Sequence, residues 1–188
     1  MTIQLKIQLN NISNPAVWRR VLVPADFTFE DLHSVIQISF GWEFAHLYQF
    51  SPKGYGSEPT IAPNSDIDWD EPDLNAEKTK LKKIFTTEKQ TYTYIYDFGD
   101  DWIHKITVEK ILKEKIKSPK CIKGQGKCPP EDCGGPWGYL DMLETLSNPK
   151  NEEYEERREW LGLSDDEPWD VNEFEMEDVN VMLEEGFE

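Results

Sequence analysis

An α+β fold is predicted, with a mixed or antiparallel sheet and helices packed on it, from three features of the sequence. Apolar and polar residues alternate through Ile3, Leu5, Ile7 and Leu9, and alternation returns at residues 17–23. That period of two is the mark of half-buried strands. A run rich in aromatic and β-branched residues, 91–97, faces a second alternating stretch, 102–112, across the turn Phe98-Gly99-Asp100-Asp101. Helical spacing occurs once early, between residues 28 and 40, and then dominates after Pro136. Strands come first and helices cluster late, which is not the alternation of a βαβ fold.

The elements follow in order. The two opening strands flank the turn Asn10-Asn11-Ile12-Ser13-Asn14-Pro15 and predict a hairpin. Thr28 is placed to cap the first helix, with Asp31 three residues on in the role usually taken by Glu. Phe29, Leu32, Val35, Ile36, Ser39 and Phe40 form its inner face, and Gly41 stops it. A third strand is expected over residues 46–50. The Pro-, Gly-, Ser- and Asp-rich stretch 52–75 reads as a long loop. A short amphipathic piece, 78–85, precedes the central hairpin. Pro136 suits a helix start, with Leu140, Leu143 and Leu146 as its buried stripe. Another helix is expected to begin at Asn148-Pro149, with Tyr154, Trp160 and Leu161 inward and Gly162 as its end; a last one covers 175–185.

The 188 residues are expected to form a single domain. Charge divides it. Residues 1–140 are nearly neutral, whereas residues 141–188 carry 18 carboxylates against 3 basic side chains. Duplex nucleic acid demands Lys and Arg for its phosphates, so this composition argues against it as a partner. Residues 105–127 hold eight lysines, but Lys110, Lys113, Lys115 and Lys117 among them run past the end of a hairpin strand and read as a charged edge that discourages strand addition. No apolar run approaches a membrane span. The chain opens on a strand pattern with no basic and apolar leader, so a cytoplasmic address and reduced thiols are expected.

Four stretches resemble one family. They are Trp18-Arg19-Arg20; Phe40-Gly41-Trp42 through His46-Leu47; Tyr96-Asp97-Phe98-Gly99-Asp100 with Trp102 and His104; and the run from Cys128-Pro129-Pro130-Glu131-Asp132-Cys133 through Gly134-Gly135-Pro136, with Gly138-Tyr139. Together they resemble the Ri-plasmid ORF-three-like family, which includes proteins carried by insertion sequences, over about residues 3–183. The resemblance implies a mixed α/β domain and supplies no activity. Some members carry a resolvase-like label. That chemistry needs a nucleophilic Ser among arginines near the N-terminus, and Ser13, Ser34 and Ser39 do not provide one.

Candidate chemistry centres on an internal echo. Phe40-Gly41 leads to His46 and Phe98-Gly99 to His104 in the same frame, Phe-Gly-x4-His. Strand periodicity puts His46 with Tyr48 and Phe50, and His104 with Trp102 and Ile106, on apolar faces. A buried imidazole needs partners, and Asp97, Asp100 or Asp101 could supply one. If His46, His104 and an Asp converge, the set could hold a metal or act as an acid/base pair. The alternative is two core histidines, with the aspartates shaping a tight turn.

Arg19 and Arg20 lie on opposite faces of the second strand, so one of them needs a carboxylate or carbonyl partner, or an anionic ligand to clamp. Cys121, Cys128 and Cys133 fit structural zinc poorly, since a fourth ligand would have to be a distant His or a carboxylate such as Asp132. Buried packing thiols are the simpler reading. Reactive thiols would require Lys120, Lys123 or Lys127 close by. No G-x-G-x-x-G, Walker A, G-x-S-x-G or H-E-x-x-H motif is present.

Two functions are therefore carried forward, and a zinc-stabilised cysteine loop is a third. The first is a module binding a protein or small-molecule ligand, with a cleft near the two Phe-Gly-x4-His turns drawn from Arg19, Arg20, His46, Asp97, Asp100, Trp102 and His104, and no committed cofactor. The second is a metal-assisted hydrolase using His46, His104 and Asp97 or Asp100.

Overall fold

The computed structural model describes residues 1–64, 71–164 and 167–188. The described residues form an α+β fold of one eight-stranded sheet with five helices. Strands β1 (Thr2–Ser13) and β2 (Ala16–Pro24) form the expected hairpin. Helix α1 (Phe29–Phe40) begins with a full capping box: Asp31 N–H donates to Thr28 Oγ1 at 3.1 Å, and Thr28 N–H donates to Asp31 Oδ2 at 2.7 Å. Strand β3 (Tyr48–Ser51), then β6 (Thr91–Tyr96) and β7 (Trp102–Leu112), build the centre of the sheet. With β4 (Ile61–Ala62), β5 (Leu74–Asn75) and β8 (Lys120–Gln125), the order is β5-β4-β3-β6-β7-β1-β2-β8, antiparallel except for β4 against β5.

Three expectations about the sheet needed correction. The stretch taken as a long loop contains β4 (Ile61–Ala62) and β5 (Leu74–Asn75) on the sheet edge; residues 65–70 of that stretch lie outside the described residues. The lysine-rich run is not a charged edge that keeps strands away, because β7 lies between β6 and β1 and the run continues into β8 (Lys120–Gln125), which pairs with β2. Its alternation is masked by Gly124, where a Cβ would sit 2.5 Å from the Phe174 ring, so glycine makes room for that aromatic. The third strand starts at Tyr48, which leaves His46 in the connection before it.

Short helix α2 (Leu81–Ile84) precedes β6, and α3 (Gly135–Leu146), α4 (Tyr154–Trp160) and α5 (Met176–Gly186) follow β8. Two of their apolar residues face outward against expectation, Leu140 on α3 and Trp160 on α4; Tyr139 and Met142 provide the buried side of α3. The core is the inward row of β1, Ile3, Leu5, Ile7 and Leu9, packed with Phe29, Leu32, Val35 and Ile36 of α1. No helix among the described residues is long and apolar enough to cross a membrane.

The β8 edge is covered by the C-terminal segment. Asn180 of α5 accepts from Cys121 N–H at 2.8 Å and donates to Cys121 carbonyl at 2.9 Å, as a neighbouring strand would. Lys127 N–H donates to Val171 carbonyl, and its ammonium pairs with Glu173.

Arg19 and Arg20 divide as the strand period requires. Arg20 lies on the outer face and makes a bidentate pair with Glu109 at 2.6 and 2.7 Å. Arg19 is 3% exposed, and its guanidinium donates to four carbonyls: Ser39 at 2.8 Å, Trp18 at 3.0 Å, Gln125 at 2.9 Å and Gly126 at 3.0 Å. Phe40 and Phe174 stack on it at 5.1 and 4.1 Å. Burial lowers its pKa, and the carbonyls, one of them in the last turn of α1, supply the compensating negative dipoles. Arg19→Met should therefore lower unfolding free energy by about 3–5 kcal/mol, by leaving those acceptors dry and unpaired. Arg20→Met, breaking a solvent-accessible pair, should cost about 1 kcal/mol or less. Urea denaturation of both variants checks this, and similar losses would contradict the assignment.

Candidate functional site

Three segments distant in sequence meet at one end of the sheet: the α1–β3 connection (residues 41–47), the β6–β7 turn (97–101) and the loop before α3 (128–134). Each is bent there by residues with positive φ. They are Gly41 and Phe44 in the first, Asp97 and Asp101 in the second, and Asp132 and Gly134 in the third. Asp, and here even Phe, occupies a region that most side chains avoid, so tertiary contacts must hold these bends.

Those contacts centre on the Tyr96 hydroxyl. It donates to Glu131 Oε1 at 2.6 Å and accepts from Ala45 and His46 backbone N–H at 3.0 and 3.3 Å. Glu131 Oε1 also accepts from Glu43 N–H at 2.9 Å, and Trp42 Nε1–H donates to Pro129 carbonyl at 3.0 Å. Burial, and then the bond to Glu131, raise the Tyr96 pKa, so its hydroxyl keeps the proton it donates. The third segment is locked to the second by Gly134 N–H donating to Asp100 Oδ2 at 3.2 Å. At Gly135 the backbone has φ +66° and lies against Asp100; an added Cβ would stand 2.2 Å from its carbonyl oxygen.

The sequence-proposed residues separate into two sets. His46 and Asp97 come together, and Asp132 joins them. His46 Nε2 lies 3.2 Å from Asp132 Oδ1 and 3.7 Å from Asp97 Oδ2. His104 belongs elsewhere. It is fully buried on β7, bonds through Nδ1 to Trp102 carbonyl at 2.9 Å, and is walled by Phe40, Trp42 and Tyr94. Between the imidazoles run successive ring contacts: His46 on Tyr96, Tyr96 on Trp42, Trp42 on His104. Trp102 is wholly buried beneath this layer. Asp100 is a loop anchor. Arg19 and Arg20 are occupied as described above.

The cysteines do not join the site. Among the described residues, the group of three or more His, Cys, Asp or Glu side chains whose donor atoms lie within 4.8 Å of one another is His46, Asp97 and Asp132. Burial raises the thiol pKa of Cys121 and Cys128, and pushes that of Cys133 up to about 12, which is packing-thiol behaviour. Lys127, one of the lysines considered as an activator, is committed to Glu173 and the face of Trp169.

Sequence reasoning missed two partners. One is Asp132 as a companion of His46. The other is His33, buried in α1, stacked on Tyr48 at 3.7 Å and bonded to the Tyr94 hydroxyl at 2.8 Å. An apolar helix face containing a histidine was the available signal.

Around the cluster the surface is apolar at its rim. Phe44, Leu47, Tyr55 and Phe98 are exposed; Tyr55 donates to Asp101 Oδ1 at 2.6 Å and lies beside Phe98. Leu47 carbonyl accepts from Asp97 N–H at 2.9 Å, which joins the first two segments.

Burial lowers the pKa of His104 to about 3 and that of His33 to about 4, from an ordinary 6.5. Below pH 6.5 the unfolded chain takes up these protons and the folded one does not. Their contribution is thus complete above pH 6.5 and lost as pH falls toward 4 and 3, at up to about 1.4 kcal/mol per pH unit for each. Unfolding free energy measured from pH 7 to pH 4 should fall less steeply for His104→Gln than for the unsubstituted chain, even if the variant starts lower. Equal slopes would show that His104 is not held neutral.

The comparisons with known proteins fit this architecture. The chain is 36% identical over 167 residues to the uncharacterized protein y4hQ of Sinorhizobium fredii, covering 87% of this chain and 82% of that one. A crystal structure of a protein of unknown function, MM3350 from Methanosarcina mazei Go1, is 40% identical and superposes with a TM-score of 0.79, covering 94% of this chain and 96% of that one. The model of the plasmid pRiA4b ORF-3-like proteins matches residues 1–178. The same residues build the sheet, the Tyr96 junction and the His46 cluster, and the chain belongs to the plasmid pRiA4b ORF-3-like family.

Proposed function

We propose that this protein is a binding module whose working surface is the end of the sheet where residues 41–47, 97–101 and 128–134 meet. The observation that carries this is the composition of that surface. Its three segments hold six carboxylates, Glu43, Asp97, Asp100, Asp101, Glu131 and Asp132, and no Lys or Arg. Exposed Phe44, Leu47, Tyr55 and Phe98 border them. Apolar side chains left open beside a one-signed charge cluster suit a partner segment that combines cationic and apolar groups. The Tyr96–Glu131 junction supplies the rigidity that lets such a surface bind without first being ordered.

The hydrolase reading has less support. Its second histidine, His104, sits in an apolar cage, and the Trp42 and Tyr96 rings stand between it and His46. What favours it is the His46–Asp97 pair, and that pair also serves a binding role.

A panel of short peptides tests the proposal, with Lys/Arg and Phe/Leu content varied independently and fluorescence anisotropy as the readout in metal-free buffer with chelator. Peptides carrying both features should bind with micromolar affinity, weaken as salt rises, and lose more than about tenfold on Asp101→Lys or Phe98→Ala. Binding that ignores charge, or is unchanged in both variants, would remove this surface as the working face.

A further inference from the structure

We infer that His46, Asp97 and Asp132 form a site for a first-row divalent cation, with zinc as the reference ion. This deepens the binding-module reading by naming an inorganic ligand for the same end of the sheet, and it draws on two of the six carboxylates there, Asp97 and Asp132.

His46 lies within ion-pair distance of both carboxylates, and the geometry of the three side chains also suits ligands of one ion. His46 Nε2 is buried, yet it has no aligned hydrogen bond; it faces the gap between Asp132 Oδ1 at 3.2 Å and Asp97 Oδ2 at 3.7 Å. A tetrahedral cation with bonds of about 2.0–2.2 Å separates its ligand atoms by about 3.4 Å, and the two observed distances bracket that value. All three donor atoms lie within 4.8 Å of one another, so small carboxylate rotations complete the set.

The donors are also pre-oriented. Asp97 uses its other oxygen, Oδ1, to accept from Gly99 N–H at 2.9 Å, which turns Oδ2 toward His46. The His46 backbone is held by the Tyr96 hydroxyl. Such supporting contacts are what fix ligands in metal sites. Asp132 is the open side: its side chain is 73% exposed, against 27% for His46 and 13% for Asp97. A cation here would therefore keep at least one coordination position toward solvent.

Donor chemistry selects the ion. One imidazole and two carboxylates neutralise a divalent charge, and the nitrogen disfavours calcium and magnesium, which prefer all-oxygen shells. No thiol takes part, which separates this site from a cysteine-based structural zinc.

Titration calorimetry of the full chain with zinc and with magnesium, both alone, tests the inference, with circular dichroism on each variant to confirm folding. One equivalent of zinc should bind, and magnesium should bind far more weakly. His46→Ala, Asp97→Asn and Asp132→Asn should each weaken zinc by more than about tenfold, whereas Cys133→Ser should not. Cobalt substitution adds a readout independent of stability. Visible d–d bands without a thiolate charge-transfer band support N/O ligation, and a thiolate band overturns it. Zinc affinity unchanged in folded His46→Ala, or no saturable zinc binding by the unsubstituted chain, would equally overturn it. Because the peptide measurements run in chelator, failure of the cation site leaves their outcome untouched, and the reverse holds.

Discussion

A single buried guanidinium organises this molecule. Arg19 gathers the carbonyls of Ser39, Gln125 and Gly126, and each stands at a departure point. Ser39 is two residues before Gly41, where the chain leaves α1 for the connection carrying His46. Gly126 is two residues before Cys128, where the loop carrying Asp132 begins. The two loops can meet because both are launched from one cation. A neutral side chain could fill the same volume between Phe40 and Phe174, but it would not draw four acceptors from three elements to one point.

The Tyr96 hydroxyl repeats this logic closer to the surface. Arg19 sets where the loops start, and Tyr96 with Glu131 sets where they pass each other. Between the two polar hubs lies a buried aromatic layer of Phe40, Trp42, Trp102 and His104. In such surroundings each hydrogen bond is strong and each missing one costly, so the loops have few alternative arrangements.

What the sequence made legible was whatever depends on local spacing. The hairpin of β1 and β2, the Thr28–Asp31 cap, the Gly41 stop and the β6–β7 hairpin all follow from period, capping and turn chemistry. Strand β8 was hidden because its glycine answers to Phe174, some fifty residues away, and not to its own strand. The candidate site was half visible. Strand parity placed His46 inward with Tyr48, but its strand begins two residues later, so its direction is fixed by the Tyr96 hydroxyl instead. Asp132 was noticed only as a neighbour of cysteines. Its place beside His46 depends on contacts between the first and third segments, which no local pattern encodes.

The amide of Asn180 has a consequence in time. As the chain is synthesised from its N-terminus, β2 and β8 can pair once residue 125 is free, but the outer rung of β8 at Cys121 stays open until α5 emerges. Until then the nascent protein carries an unsealed strand edge, the kind of surface that chaperones hold and that neighbouring nascent chains can join. Helix α5 closes this edge, and until it is in place the protein is not safe from its own sheet.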